Sequence, residues 1–160
     1  MPFRIRLSTR SDLDAIVQLR TRFAPFAEAG RDHVPFDASA ASACLAPLVD
    51  DDRFGIVLVA ELPEARTTTS DLVGYLVLTW GYSLESGGRE ALIDEVYVEP
   101  KGRGAGSALV DAAIVECERR GLRRVFLETE AANGRARELY LRKGFEVDDS
   151  VWMSRWMARP

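Results

Sequence analysis

Residues 94–109 read Asp-Glu-Val-Tyr-Val-Glu-Pro-Lys-Gly-Arg-Gly-Ala-Gly-Ser-Ala-Leu, and the fold is decided around this stretch. The run over 92–98, apolar apart from Asp94 and Glu95, is typical of a strand, and Pro100 ends it. Three glycines at every second position follow. Residues 107–120 then carry apolar side chains at helical spacing, and Gly121 closes the helix. The order strand, glycine loop, helix predicts a sharp turn whose backbone can approach a ligand closely.

The glycine loop, Lys101 to Gly106, is typical of an anion site. Amide groups at the start of the following helix converge, and the helix dipole adds partial positive charge, so a pyrophosphate would fit there. The loop lacks the Gly-Lys-Ser/Thr of a Walker motif, and the third glycine of a dinucleotide fingerprint would fall on Ser107. Glu128, about 20 residues later at a strand end, keeps a dinucleotide-binding domain as an alternative. A glycine turn that only closes the connection is the other alternative.

Alternation of apolar and polar residues predicts strands elsewhere, and apolar spacing of three and four predicts helices. Three consecutive strands before the glycine loop favour an antiparallel meander, whereas the strand after the helix must run parallel to its predecessor if both share a sheet. In chain order we expect a strand over 3–7, a helix from 13 to about 23, a second helix within 37–49, strands over 53–61, 72–82 and 91–98, a helix over 107–120, a strand over 125–129, a helix over 134–143 that Asn133 caps, and a closing strand over 151–157.

Length and composition indicate one globular domain over residues 1–160, because the chain is 47% hydrophobic and 29% charged. A formal net charge of −4 argues against a nucleic-acid partner, which usually requires a basic surface. The longest apolar run, 72–80, is too short to span a bilayer, and the first residues lack the apolar stretch of a signal peptide. We therefore expect a cytoplasmic protein without a membrane partner. Cys44 and Cys117 lack metal-site spacing, so no metal is expected.

Two segments resemble the motifs of the GNAT N-acetyltransferase superfamily. Residues 94–109 resemble motif A, a strand ending near Val-x-Pro, then Arg/Gln-x-x-Gly-x-Gly/Ala and a helix. Residues 133–145, Asn-Gly-Arg-Ala-Arg-Glu-Leu-Tyr-Leu-Arg-Lys-Gly-Phe, resemble motif B, Asn-x-x-Ala-x-x-Leu-Tyr-x-x-x-Gly-Phe. Motif A would occupy about 92–120 and motif B about 125–145. One departure is Lys101, where the family usually carries Arg or Gln; a lysine is a point charge without a planar fork.

The resemblance implies a GNAT-like α/β fold with acetyl-CoA as co-substrate. Its sheet would be mixed and mostly antiparallel, with one splayed parallel strand pair and about four flanking helices. Main-chain groups of the splayed strand would hold the pantetheine arm like an added strand, and the loop amides would hold the pyrophosphate. Asn133 can also be an ordinary helix N-cap. The residues expected to bind acetyl-CoA are Val96, Tyr97, Val98, Lys101, Gly102, Arg103, Gly104, Ala105, Gly106, Ser107, Asn133, Tyr140 and Lys143.

Acetyl transfer to an amine needs a neutral amine, donors for the tetrahedral oxyanion and a proton for the departing thiolate. Tyr140 matches the motif B tyrosine that acts as general acid in related enzymes, although such a tyrosine can also be a core aromatic. The Val96 N–H is the oxyanion candidate, near an expected bulge. For the base, Glu95 is favoured over Asp94, because both are carboxylates on an otherwise apolar strand.

Strand alternation places Glu95 on one side with Tyr97, and Asp94 on the other side with Val96. A structural alternative pairs a carboxylate with an arginine such as Arg124. Four aromatic residues are candidate walls of the acceptor pocket or ordinary core residues: Phe23, Phe26, Trp80 and Tyr82.

The sequence therefore predicts an N-acetyltransferase that moves acetyl from acetyl-CoA directly to a primary amine of a small molecule, in a ternary complex. The resemblance leaves two alternative functions. The protein could be an acetyltransferase for an amino group of a protein or peptide, or a module that binds acyl-CoA without turnover. Homodimers are common in the family, so a homodimer is possible. The acceptor and the preferred acyl chain remain open.

Overall fold

A computed structural model describes residues 3–27, 36–62, 72–155 and 157, and leaves out the side chains of Phe26 and Ala27. In chain order the elements are β1 (Arg4–Leu7), a single 3-10 turn (Arg10–Asp12), α1 (Leu13–Ala27), α2 (Ala38–Asp50), β2 (Gly55–Glu61), β3 (Leu72–Ser83), β4 (Gly88–Val98), α3 (Ala105–Arg119), β5 (Arg124–Leu127) and α4 (Gly134–Arg142). No helix in these ranges is long and apolar enough to cross a membrane.

The five strands form one mixed sheet in the order β1-β2-β3-β4-β5. Each pair from β1 to β4 is antiparallel, and β4 pairs with β5 in parallel, as predicted. Leu109 of α3 belongs to the core on one face of the sheet, together with Leu76 and Leu78 of β3. Ile16 of α1 belongs to the core on the other face, together with Tyr75 of β3. The sheet is therefore the central layer, covered by helices on both faces.

A β-bulge interrupts β4 at Asp94. Val77 of β3 pairs with Glu95, but the next residue of β3, Leu78, pairs with Ile93, so Asp94 has no opposite residue. The extra residue resets the alternation, and Ile93 and Val96 both pack on the α3 side of the sheet. A bulge bends a strand and increases its twist.

The parallel pair opens where this bulge lies. β5 pairs with β4 from Arg124 opposite Glu90 to Leu127 opposite Ile93. β4 continues to Val98, and within the part of the chain that is described no strand pairs with 94–98 on the β5 side. The predicted splay is therefore present, and it exposes main-chain groups of β4.

The predicted closing strand over 151–157 is wrong for the residues that are described there: 151–155 and 157 are not in a strand, and Trp156 lies outside them. Trp152 instead stacks on Phe126 of β5 with ring centroids 5.9 Å apart. Alternating residues in sequence are not sufficient, because a strand also needs a neighbour that accepts its hydrogen bonds. Smaller differences affect the ends of several elements: α1 continues to Ala27, β4 begins at Gly88, α3 begins at Ala105 and β5 ends at Leu127.

Close approach of β2 to β3 makes Gly55 a test of this sheet. A Cβ atom at Gly55 would lie 2.0 Å from the Leu78 carbonyl oxygen, which is main chain and cannot move aside. We expect Gly55→Ala to lower the free energy of unfolding by about 1–3 kcal/mol, as in other overpacked sites. Denaturant titration measures this change.

Gly81→Ala is the matched control, because its Cβ would meet the flexible Glu90 side chain at 3.3 Å. We expect a smaller loss for this variant. Equal stability of Gly55→Ala and the parent protein would contradict the observed register of β2 and β3.

Candidate active site

The glycine loop provides uncapped amides at the start of α3. Gly102 and Gly104 have φ angles of 90° and 93°, in the left-handed region that favours glycine. Gly104 is the N-cap of α3 and has no side chain that could cap the helix. Its carbonyl accepts the first helical hydrogen bond from Ala108 at 3.0 Å. The amides of residues 105–107 are therefore helix-start donors that an anion can accept, so the loop fits a phosphate group.

Basic side chains surround this loop, one of which sequence reasoning missed. Lys101 and Arg103 are exposed, as expected for loop residues. Arg135, from the first turn of α4, lies over the loop: a Cβ atom built on Gly102 would be 2.5 Å from its Nη2 atom. The available signal was its place in motif B, two residues after Asn133. The structure thus brings the two motifs together at Gly102.

Asn133 and Lys143, both predicted to bind acetyl-CoA, have structural partners at the two ends of α4. Asn133 Oδ1 accepts a hydrogen bond from the Ala136 amide at 3.3 Å, so Asn133 is the N-cap of α4. Its side-chain amide remains able to donate. Lys143 Nζ lies 2.6 Å from Asp111 Oδ2 and links α4 to α3. Contact of either residue with acetyl-CoA stays a prediction.

Tyr140 is 8% exposed and lies in the same apolar core as Ala105, the first residue of α3. Its ring packs edge-on against Phe145 with centroids 5.7 Å apart. Burial raises the pKa of the Tyr140 hydroxyl above its ordinary value, so the group stays protonated near neutral pH. Tyr140 is therefore both a core aromatic and a group that can donate a proton.

Glu95 is held by two donors on the α1 side of the sheet. Tyr75 Oη donates to Glu95 Oε1 at 2.5 Å, and Arg20 Nε lies 2.8 Å from Oε2. Burial raises the pKa of Glu95, while the Tyr75 hydrogen bond and the Arg20 charge oppose that rise. The structural alternative, in which a carboxylate of this strand pairs with an arginine, is present, but the partner is Arg20. Arg124 pairs instead with Asp148, at 3.2 Å.

Arg20 and Tyr75 were missed in the sequence, although Arg20 occupies a position of the apolar helical spacing. The Arg20 guanidinium lies over the rings of Phe23 and Phe36, 5.4 and 5.1 Å from their centroids. Its Nη1 atom is buried without a hydrogen-bond partner in the residues that are described. A cation in this environment is held by aromatic faces and by the Glu95 carboxylate.

Asp94, the second candidate base, is exposed at the bulge. The protein around its carboxylate partly desolvates it, which raises its pKa, and the Arg20 charge acts in the opposite direction. Two carboxylates with raised pKa values therefore lie next to each other where β4 and β5 separate. Either can accept a proton nearer to neutral pH than an ordinary carboxylate.

Tyr97 follows on the same side as Glu95, as predicted. Its hydroxyl donates to Glu99, and burial together with this carboxylate raises the pKa of Tyr97 to about 12. Arg22 Nε donates to Glu99 Oε2 at 2.6 Å. The Tyr97 ring lies 5.2 Å from that of Phe23 and fills the core under α1. Contact of Tyr97 with acetyl-CoA stays a prediction.

The four candidate pocket walls do not form one group. Phe23 lies at this site, and the Phe26 side chain is outside the described residues. Trp80 and Tyr82 pair with Ala91 and Arg89 at the other end of β4, so they are not walls of this site. A cavity of about 180 Å³ near that other end is lined by Leu48, Ile56 and Arg120, among others, and by no predicted site residue.

Comparisons with known proteins agree with this geometry. An uncharacterized N-acetyltransferase of Bacillus subtilis, YhfO, is 28% identical over 146 residues, which cover 90% of each chain. A solved integron cassette protein from a salt-marsh metagenome superposes with a TM-score of 0.80 at 25% identity, over 98% of this chain and 91% of that one. An aminoglycoside N-acetyltransferase, AAC(6')-Iy, solved with CoA, has the same fold: the TM-score is 0.76 at 17% identity, over 98% and 96% of the two chains. The model of the acetyltransferase (GNAT) family matches residues 13–145, and the chain belongs to this family.

Proposed function

We propose that this protein is an N-acetyltransferase that moves acetyl from acetyl-CoA to a primary amine of a small molecule, by direct transfer in a ternary complex. The observation that carries the proposal is the opened edge of β4 beside the uncapped start of α3. The edge of β4 can hydrogen-bond an extended amide chain, and the start of α3 can bind a pyrophosphate. Acetyl-CoA contains both groups, because its amide-containing pantetheine arm is joined to a pyrophosphate, and it supplies an activated thioester.

The loop and strand position the co-substrate. Amides of Ala105, Gly106 and Ser107 donate to the pyrophosphate, while Lys101 and Arg103 add positive charge. Gly102 and Gly104 keep that surface free of side chains. Main-chain groups of Val96 and Val98 hold the pantetheine arm, because no described strand occupies that side of β4.

Tyr140 is the general acid in this proposal. The departing thiolate needs a proton, and a buried tyrosine retains one at neutral pH because burial raises its pKa. The Val96 amide, two residues after the bulge residue Asp94, donates to the oxyanion of the tetrahedral intermediate. Position supports both roles, because Tyr140 and Val96 belong to the same core and lie on elements that border the opened edge.

Glu95 is the base that we favour, with Asp94 as its alternative. An amine arrives mostly as an ammonium ion and must lose a proton before it attacks. Glu95 has the better-defined position, because Tyr75 and Arg20 fix both of its oxygens. Each carboxylate oxygen keeps a further lone pair for the incoming proton, directly or through a water.

Negative charge supports an amine acceptor at this end of β4. Asp94, Glu95 and Glu99 lie within six residues, and Arg20 and Arg22 pair with the last two. The exposed Asp94 therefore supplies the charge that attracts the ammonium form of an acceptor before it is deprotonated. AAC(6')-Iy, which shares the fold, is named for aminoglycosides, small molecules that carry several amines. A small amine is therefore the proposed acceptor class.

A thiol-release assay with acetyl-CoA tests the function directly. We expect CoA release with at least one small primary amine from a panel that also contains amino acids and peptides. Release with peptides alone would support the protein-directed alternative. Binding of acetyl-CoA without release for any acceptor would support a non-catalytic binding module.

Tyr140→Phe tests the general acid. We expect turnover to fall by about 10²-fold, because the thiolate then leaves without a positioned proton, while the Kd for CoA is unchanged. Steady-state kinetics and calorimetry measure the two quantities. Tyr82→Phe is the control, because Tyr82 is 75% exposed and lies at the other end of β4. Full activity of Tyr140→Phe would rule out its acid role.

Glu95→Gln and Asp94→Asn distinguish the two bases. We expect kcat/KM to fall by about 10²-fold or more for Glu95→Gln, and less for Asp94→Asn. Because burial raises the pKa of Glu95, activity of the parent protein should be lost on the acid side above the ordinary glutamate value of 4.5. A pH profile of kcat/KM measures this limb. The reverse order of the two variants would assign the base to Asp94.

A further inference from the structure

Tyr75 lies on the central strand of the sheet and places a polar group inside the core. The residue is 0% exposed and belongs to the core under α1. Its hydroxyl donates to Glu95 Oε1, on the neighbouring strand β4, at 2.5 Å. A buried hydroxyl that loses its hydrogen bond costs free energy, so this contact ties Tyr75 to the carboxylate. Packing alone would be satisfied by a phenylalanine, which lacks that contact.

Arg20 holds the other oxygen of the same carboxylate. Its Nε atom lies 2.8 Å from Glu95 Oε2, and the two side chains are only 24% and 18% exposed. Burial and the neighbouring Asp94 of β4 raise the pKa of Glu95, while Tyr75 of β3 and Arg20 of α1 lower it. Within the described chain, these three side chains are the titratable or charged groups that act on Glu95. Its charge therefore depends on the two donors.

A second set of the same residue types shows what burial contributes. Glu99 accepts a hydrogen bond from the Tyr97 hydroxyl and pairs with Arg22, but Arg22 and Glu99 are 48% and 38% exposed. Here the tyrosine and arginine contacts outweigh the cost of burial and lower the pKa of Glu99. Interactions with a charge are stronger where less water surrounds it. The more buried carboxylate, Glu95, is thus the one whose charge depends most on its donors.

We propose that Tyr75 and Arg20 are positioning residues for the base Glu95: together they fix both of its oxygens and keep the carboxylate charged until the acceptor's ammonium group arrives. An N–H bond of the ammonium then breaks, its proton joins a free lone pair of Glu95, directly or through a water, and the nitrogen lone pair attacks the thioester carbonyl. This inference rests on the proposed function, because it takes Glu95 as the base.

Two measurements on Tyr75→Phe in the complete chain test the inference. Carbon-13 NMR follows the Glu95 carboxyl against pH without ligand, and Glu95→Gln assigns its signal. The thiol-release assay gives kcat/KM against pH. We expect the Glu95 titration to move to higher pH, because a donor that favours the charged form is lost. On the acid limb kcat/KM should fall about tenfold, the size of one hydrogen bond to a charged group, with a smaller loss at higher pH.

Matched variants separate this effect from general damage. Tyr82→Phe removes the hydroxyl of a tyrosine that is 75% exposed, and it should leave the titration and the acid limb unchanged. Arg20→Lys keeps a positive charge but lacks the Nε donor, so it should move both in the same direction as Tyr75→Phe. Arg22→Lys is its control, because Arg22 pairs with Glu99. If the melting temperature shows that Tyr75→Phe is not folded, Arg20→Lys against Arg22→Lys decides by the same measurements.

The other outcomes overturn the inference. An unmoved Glu95 titration would mean that the donors do not control its charge. An equal loss of kcat/KM at every pH would indicate a merely structural role, which does not move the acid limb. A titration that moves while the limb stays would mean that Glu95 is not the base. If the parent protein releases no CoA with any acceptor, the proposed function fails, and the NMR titration separately shows whether Tyr75 and Arg20 hold the Glu95 charge.

Discussion

The separation of β4 from β5 after Ile93 is the constraint on which the site depends. A strand inside a sheet normally satisfies its main-chain groups on both sides, and a buried group without a partner costs free energy. From Asp94 to Val98 no described strand supplies that partner on the β5 side. The edge must be completed by solvent or by a ligand with amide groups of its own. The pairing of β4 with β5 ends at the bulge at Asp94, because the bend that a bulge introduces directs β4 away from β5.

Polar contacts between α1 and β4 border this edge. Two arginines of α1, Arg20 and Arg22, pair with two carboxylates of β4, Glu95 and Glu99. A buried carboxylate without partners would take up a proton, or cost several kcal/mol in its charged form. Arg20 and Tyr75 oppose that cost at Glu95, although burial still leaves its pKa raised. The same contacts that hold α1 on the sheet therefore fix the orientation of this carboxylate.

The glycine loop and α4 form the other border. Gly102 and Gly104 adopt left-handed conformations that keep side chains off the loop, and Arg135 occupies the space that Gly102 leaves. Beside Lys101 and Arg103 of the loop itself, Arg135 thus brings a guanidinium from another helix. Two motifs that are separate in the sequence therefore lie side by side in the fold. The charge at the loop depends on a residue of α4 as well as on the residues of the loop.

The sequence by itself determined features that depend on neighbouring residues. Glycines in the loop, the cap at Asn133 and the apolar periods of strands and helices are local, so the order of elements and the parallel pair were predicted. The tertiary structure alone decided the rest. The strand predicted over 151–157 lacks a neighbour in the described part, and no local pattern supplies one. Pairing of Arg20 with Glu95 and the approach of Arg135 to Gly102 join distant segments, because packing of helices on the sheet, not spacing along the chain, sets which side chains meet.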